Sequence, residues 1–264
     1  MHLTSTQNAR VKEVARLRKR AERDARRLFL VEGAREVSRA LASGWRVDQL
    51  FYCPALHSGP DPEPLLAQAR AAGAECFDCA PAVFAKLAFK EGADGWLAVV
   101  RQQARGLDEL TLSQPPFLLV AEAIEKPGNL GSILRAADGA GVDAVLLCDG
   151  RTDLYNPNVV RNSMGSLFSV PVAEAAAPEV WRFLRHHHVH VLAATPQAEA
   201  LYSDVDLRGP LAVVVGTESD GLSSAWMEQA DLHVRIPMRG MADSLNVACA
   251  TTLLLYEAVR QRGA

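Results

Sequence analysis

Two kinds of hydrophobic pattern alternate along this chain. Short continuous apolar runs bounded by polar turns predict strands, and stretches with apolar positions every three or four residues predict helices. In the first part, a basic helix is predicted over residues 6–27, followed by the strand Leu28-Phe29-Leu30-Val31 and a helix that starts at Glu32-Gly33 and runs to about Ala42. Further strands are predicted near 47–53, 74–78 and 96–100, with helices near 62–72 and 81–89 between them. From Arg101 to Pro116 the chain is polar, weakly periodic and ends in Pro115-Pro116, so the domain boundary is placed there, giving domains 1–105 and 106–264. The second part carries apolar strands at 117–123, 144–149, 190–195, 211–216 and 232–237. Unalternating runs of this kind, separated by helices, are buried on both faces, so the fold class expected is α/β with a parallel sheet. There is neither an internal repeat of fixed period nor a low-complexity tract.

Composition narrows the class. A chain of 264 residues suits two domains, and 49% hydrophobic with 22% charged residues excludes disordered and fibrous classes. A net charge of −3 argues against a uniformly basic nucleic-acid binder, but the charge is uneven. From Arg10 to Arg27 stand nine basic residues against three acids, a local charge of +6, and the rest of the chain is net acidic. Such a segment is either a footprint for a phosphate backbone or a solvated helix face, and both readings stand on this segment alone. The first residues, MHLTSTQNARVKE, lack the apolar core of a secretory signal, so a cytoplasmic protein is expected. The longest uncharged stretch, Ser244 to Tyr256, is shorter than the roughly 18 residues a membrane span needs, and reads as a buried helix.

Neither the cysteines nor the histidines make a convincing metal site. Five scattered cysteines fit reduced thiols; Cys76 and Cys79 form a CxxC pair without a second pair or a nearby His, and read as strand positions. His186, His187, His188 and His190 straddle the end of a helix and the start of the strand His190-Val191-Leu192-Ala193-Ala194. No metal is expected.

The candidate chemistry falls where open α/β sheets bind ligands, beyond the carboxyl ends of the strands. After the strand 117–123 comes Glu125-Lys126-Pro127-Gly128-Asn129-Leu130-Gly131-Ser132-Ile133-Leu134-Arg135, a turn opening a helix whose free amides and Arg135 suit an oxyanion. Taken alone, a capped helix with a surface arginine is the more common reading of such a turn. After 211–216 comes Gly216-Thr217-Glu218-Ser219-Asp220-Gly221-Leu222, a carboxylate on a glycine-bounded loop. After 232–237 comes a loop through Ser244 and Leu245 into the uncharged helix, with Asn246 at its start. Three such loops on one sheet edge are harder to dismiss than one. A nicotinamide fingerprint is excluded because the first turn reads PGNLGS, not GxGxxG.

Taken together, the segments PGNLGSILRAADGAGV, VVVGTESDGLS and IPMRGMADSLNVACATTLLLYE resemble the three signature motifs of the SpoU/TrmH branch of the SPOUT RNA methyltransferases, in order and spacing. Val160-Arg161-Asn162-Ser163-Met164-Gly165-Ser166-Leu167-Phe168 resembles that family's passage after the second strand, and the N-terminal block with Asn8, the basic helix and Phe29-Leu30-Val31-Glu32-Gly33 is similar to its RNA substrate-binding domain. Ser219-Asp220 departs from the glycine and varied residue that many members carry after the motif glutamate.

The resemblance implies a catalytic domain with a deep trefoil knot and a smaller RNA-binding α/β domain. It implies S-adenosyl-L-methionine held by Thr195, Gly216, Glu218, Ile236 and Leu245, and catalytic roles for Asn129, Arg135, Glu218, Ser244 and Asn246. RNA contacts are expected from Arg10, Lys12, Arg18, Lys19, Arg20 and Arg161, and a homodimer through the catalytic domain, the uncharged helix from Ser244 offering its surface. A guanidinium resists deprotonation, so Arg135 reads as a clamp on phosphate and developing oxyanion, with the general base left open. The implied activity is ribose 2'-hydroxyl methylation of ribosomal RNA ahead of tRNA; a non-catalytic RNA- or ribosome-binding protein of the same fold is the rival.

Overall fold

The computed structural model describes residues 2–89, 92–217 and 219–263. The chain divides into two compact units, Met1–Gln103 with Asp153–Ser169, and Ala104–Thr152 with Val170–Ala264.

In the first unit the chain forms β1 (His2–Leu3), α1 (Ala9–Arg16), α2 (Arg20–Arg26), β2 (Leu28–Glu32), α3 (Ala34–Ala42), β3 (Val47–Tyr52), α4 (Glu63–Ala71), β4 (Glu75–Cys79), α5 (Pro81–Leu87) and β5 (Trp96–Arg101). Its five strands lie in the order β1-β4-β3-β5-β2, with β4 parallel to β1 and β3, and β5 antiparallel to β3 and β2. Val11, Val14, Leu30, Phe51, Phe77 and Phe84 meet in one core, Phe51 stacked on Phe77 with centroids 5.2 Å apart. The single basic helix expected over 6–27 is two helices. Asn8 caps the first by accepting from the Arg10 amide at 2.9 Å. The chain breaks after it because the Arg23 guanidinium turns back to donate to the Leu17 and Arg18 carbonyls at 2.8 and 2.7 Å. Arg27, at φ 55, ends the second in the left-handed conformation that commonly closes helices.

The second unit contains β6 (Phe117–Glu122), α6 (Pro127–Ala140) and β7 (Ala144–Cys148); after α7 (Pro157–Asn162), which belongs to the first unit, come β8 (Val172–Ala175), α8 (Ala177–His186), β9 (His190–Ala194), β10 (Ala200–Leu201), β11 (Leu211–Val215), α9 (Ser224–Gln229), β12 (Leu232–Arg235) and α10 (Val247–Arg262). Seven strands in the order β10-β12-β9-β11-β6-β7-β8 make a sheet in which every pairing is parallel. Every residue of β6, β7 and β11 is buried, as helices on both faces require. On one side Trp181 of α8 stacks on Trp226 of α9, centroids 4.5 Å apart. The helices α6 and α10 pack together closely enough that a Cβ on Gly139 would stand 2.7 Å from the Tyr256 hydroxyl. Lys126 is extended and Pro127 opens α6 at its first position, where a missing N–H costs nothing; Gly141, at φ 68, closes it. At the far end of α10, Arg262 donates to the Gly209 carbonyl at 2.6 Å and lies over the Phe117 ring at 4.4 Å. No described helix is long and apolar enough to cross a membrane.

Candidate active site

The crossovers of a parallel sheet bring every strand out on the same edge, and three neighbouring strands, β11, β9 and β12, end around one cavity. Its volume is about 690 Å³, and its walls include Thr195 beyond β9, Gly216 and Asp220 beyond β11, Ile236 beyond β12, and Ser244 and Leu245 before α10. Thr195 is fixed by its amide, which donates to the Val234 carbonyl at 2.9 Å. The loop after β11 is pinched shut: the Thr217 amide donates to the Gly221 carbonyl at 2.9 Å, the Gly221 amide to the Thr217 carbonyl at 3.2 Å, and the Asp220 amide to the Thr217 hydroxyl at 2.9 Å. This closure is why residue 216 is glycine, since a Cβ there would meet the Gly221 carbonyl oxygen at 2.1 Å. Ser219 is exposed and also lines the cavity, its hydroxyl donating to the Asp220 carboxylate at 2.9 Å.

Next to this cavity, two segments far apart in sequence meet. Asn246 caps α10, its Oδ1 accepting from the Ala248 amide at 3.0 Å, and its Nδ2 donates to Asn129 Oδ1 in the first turn of α6 at 3.1 Å. The cap therefore orients the Asn246 amide group toward Asn129. Ser244 is both a wall of the cavity and two residues from this bond. Arg135 is exposed on α6, six residues beyond Asn129, and neither it, Asn129 nor Asn246 is among the cavity walls. Glu218 lies outside the described residues.

Several groups around the site carry charge that sequence alone does not place. Glu122, the buried end of β6, accepts from the Ser223 amide at 2.8 Å and so sets the start of α9. Burial pushes the pKa of the Cys148 thiol beside it up to about 12, with Asp149 and Glu122 adding to the shift, which keeps it protonated. The turn before α6 is tied down by the Glu125–Arg151 ion pair and by the Thr152 hydroxyl, which donates to the Glu125 carbonyl. Asp220 and Asp243 also wall the cavity. Among described residues no group of three possible metal ligands occurs.

The basic residues of the first unit sort by what they already touch. Arg10 pairs with Glu75 at 2.8 Å and lies 4.4 Å from the Phe77 ring. Arg18 donates to the carbonyls of Lys86, at 2.9 Å, and Ala88, closing α5, and Arg20 pairs with Asp24 at 3.4 Å. Lys12, Lys19 and Arg161 are exposed and have no ion pair among the described residues.

The sequence model of the SpoU rRNA Methylase family matches residues 116–256, more than half of the chain and all of the cavity walls. The chain belongs to the SpoU rRNA methylase family. A second match, to an MRM3-like substrate binding domain, covers residues 8–98 of this SpoU methylase. It is 31% identical over 254 residues to the 23S rRNA (guanosine(2553)-2'-O)-methyltransferase RlmP of Bacillus subtilis, covering 96% of this chain and 97% of the relative. It is 35% identical to the 23S rRNA (uridine(2479)-2'-O)-methyltransferase of Streptomyces viridochromogenes, covering 98% and 92%. The crystal structure of an AdoMet-bound rRNA methyltransferase from Sinorhizobium meliloti superposes with a TM-score of 0.90 at 30% identity, covering 98% of this chain and 97% of that one.

Proposed function

We propose that this SpoU methylase transfers the methyl group of S-adenosyl-L-methionine to a ribose 2'-hydroxyl of ribosomal RNA. The observation that carries the reading is the cavity of about 690 Å³ with Ser244 on its wall and the Asn246–Asn129 bond beside it. That volume suits a ligand of the cofactor's size. The pinched loop at Gly216 brings backbone groups close to the cavity, Ile236 and Leu245 supply apolar wall, and Thr195, Asp220 and Ser244 supply polar atoms. When bound, the cofactor supplies an electrophilic methyl group on a sulfonium. The activity named for the ribosomal RNA relatives, and the cofactor bound by the Sinorhizobium meliloti enzyme, agree with this fit.

The chain's own residues then have to align a weakly nucleophilic hydroxyl and stabilise its oxygen as the proton leaves. Asn129, Ser244 and Asn246 provide hydrogen-bonding groups for alignment. Arg135 keeps its proton and serves as a planar clamp on the nucleotide phosphate and the developing oxyanion. Residues 1–105 form the RNA substrate-binding domain and 106–264 the catalytic domain, apart from 153–169, which packs with the first unit; the C-terminal segment of the catalytic domain threads a deep trefoil knot. Two copies pair through the catalytic domain in the cytoplasm. Support for that pairing comes from α10, where Leu253 and Tyr256 are 40% and 47% exposed.

The test is a calorimetric titration of the folded chain with S-adenosyl-L-methionine, with labelled methyl transfer to an unmodified 23S rRNA transcript. Micromolar binding and label on ribose are expected. A folded chain that takes up cofactor neither alone nor with RNA present overturns the proposal.

A further inference from the structure

The segment between β7 and β8 leaves the catalytic sheet and joins the first unit, where four contacts pin it. Asp153 forms a buried ion pair with Arg23, the two side chains 8% and 2% exposed. The Tyr155 hydroxyl accepts from the Gln103 amide at 3.1 Å, Arg39 donates to the Met164 carbonyl at 2.7 Å, and the Trp45 indole to the Phe168 carbonyl at 3.2 Å. Phe29 of β2 packs against Tyr155 and Phe168, with centroids at 4.7 and 6.4 Å. Both α7 and α2 rest on β2. The outward side of α7 carries Asn158, Arg161 and Asn162, all exposed.

The basic joint between α1 and α2 presents Lys12, Arg16 and Lys19 to solvent without an ion pair among the described residues. Its shape depends on Arg23. That guanidinium uses Nη1 to hold the Leu17 and Arg18 carbonyls at 2.8 and 2.7 Å and uses Nε and Nη2 to hold Asp153, the first at 3.0 Å. One buried side chain thus shapes the basic joint and anchors the α7 segment, whose sequence positions differ by 130 residues. A buried ion pair adds little net stability over apolar packing, so its value here is geometric.

We infer that the RNA backbone is gripped by a composite face in which the α1–α2 joint and α7 act together, with Arg23 and Asp153 as the positioning pair that holds them in register. The inference rests on the RNA methyltransferase reading. It assigns Arg161 to the same phosphate-binding surface as Lys19, and it takes Arg23, the most deeply buried arginine of the basic segment, off that surface.

The experiment uses the full chain, an unmodified 23S rRNA transcript and a salt titration of binding. Lys19→Ala and Arg161→Ala are each expected to weaken binding several-fold and to lower the slope of log affinity against log salt by about one unit or slightly less. The double variant Arg23→Met with Asp153→Leu replaces the ion pair by apolar groups, a change that proteins often tolerate without loss of stability. Its KM for the RNA should rise at least tenfold, while kcat at saturating RNA, cofactor affinity and melting temperature stay near wild type. A KM unchanged in that folded variant overturns the positioning role. If the variant does not fold, Arg161→Ala decides alone, since an unaltered salt slope removes α7 from the face. Wild-type protein that binds no transcript at all defeats the parent reading instead, and so the two failures are distinguishable.

Discussion

At the scale of single residues, Arg135 and Gly216 separate a working site from a surface loop. If Arg135 clamps phosphate and developing oxyanion through its planar fork, Arg135→Lys keeps the charge but loses the paired donors. Single-turnover methyl transfer should fall on the order of a hundredfold or more, with cofactor affinity and melting temperature near wild type, because the exposed side chain lies outside the cavity walls. Near-normal turnover in the Lys variant would sink the fork argument, and near-normal turnover in Arg135→Ala would remove the residue from the site. Gly216 answers to a different force. A Cβ placed 2.1 Å from the Gly221 carbonyl oxygen cannot be accommodated without moving backbone, so Gly216→Ala should open the pinched loop and weaken cofactor binding at least tenfold in a calorimetric titration. Unchanged binding would show that the loop is pliable and that the cavity does not depend on its closure.

At the scale of elements, the site depends on how the strands beneath it are held. Asp231 stands at the start of β12; its Oδ2 accepts from the Val191 amide in β9 at 2.8 Å, and the carboxylate also pairs with Arg185 of α8 at 2.8 Å. Burial pushes its pKa up, but the hydrogen bond from Val191 and the Arg185 guanidinium outweigh burial and hold it below the ordinary value. A carboxyl whose folded pKa is depressed contributes stability that is present above its unfolded pKa, about 3.9, and is lost as pH falls through the folded value. Asp231→Asn should therefore lower the urea midpoint at pH 7, and the gap to wild type should shrink below about pH 4. A gap of the same size at pH 3 would mean that charge plays no part. The basic N-terminal segment teaches a related lesson: Arg18 serves the carboxyl end of α5, so its loss would loosen the fold as well as remove a charge.

At the scale of the whole molecule, the proposed pairing of two copies turns on α10. This helix packs on α6 and β11 and leaves Cys249, Leu253 and Tyr256 exposed about one turn apart, Tyr256 at the border with its hydroxyl against Gly139 of α6. Exposed apolar groups that adjoin along one helix are the surface a second copy would cover. Leu253→Arg should convert a dimer into a monomer in sedimentation experiments and, because the same helix starts at Asn246, reduce methyl transfer with it. A variant that sediments as wild type would move the interface elsewhere.

The apolar runs at β6, β7 and β11, and the centre of β9, were legible because a strand covered on both faces is hydrophobic along its buried length; β12, with His233 and Arg235 half-buried, is covered less completely and alternates instead. The glycine- and asparagine-rich loops beyond them were legible for the same kind of reason, since turns and helix caps impose local demands on residue type. The short strands β1, β8 and β10 left no such mark: two to four residues with mixed burial carry no pattern, and only the neighbouring strand makes them strands. Local pattern likewise could not break the basic helix at Leu17, because the cause is a guanidinium held by Asp153, far away in the chain. Sequence alone thus determined the long buried strands, most of the helices and the glycine- and asparagine-rich turns between them, for these follow from contacts within a few residues. Which loops meet, that Asn246 reaches Asn129, and that the stretch from Asp153 to Ser169 packs with the first unit were decided by tertiary structure, because those contacts join positions more than a hundred residues apart.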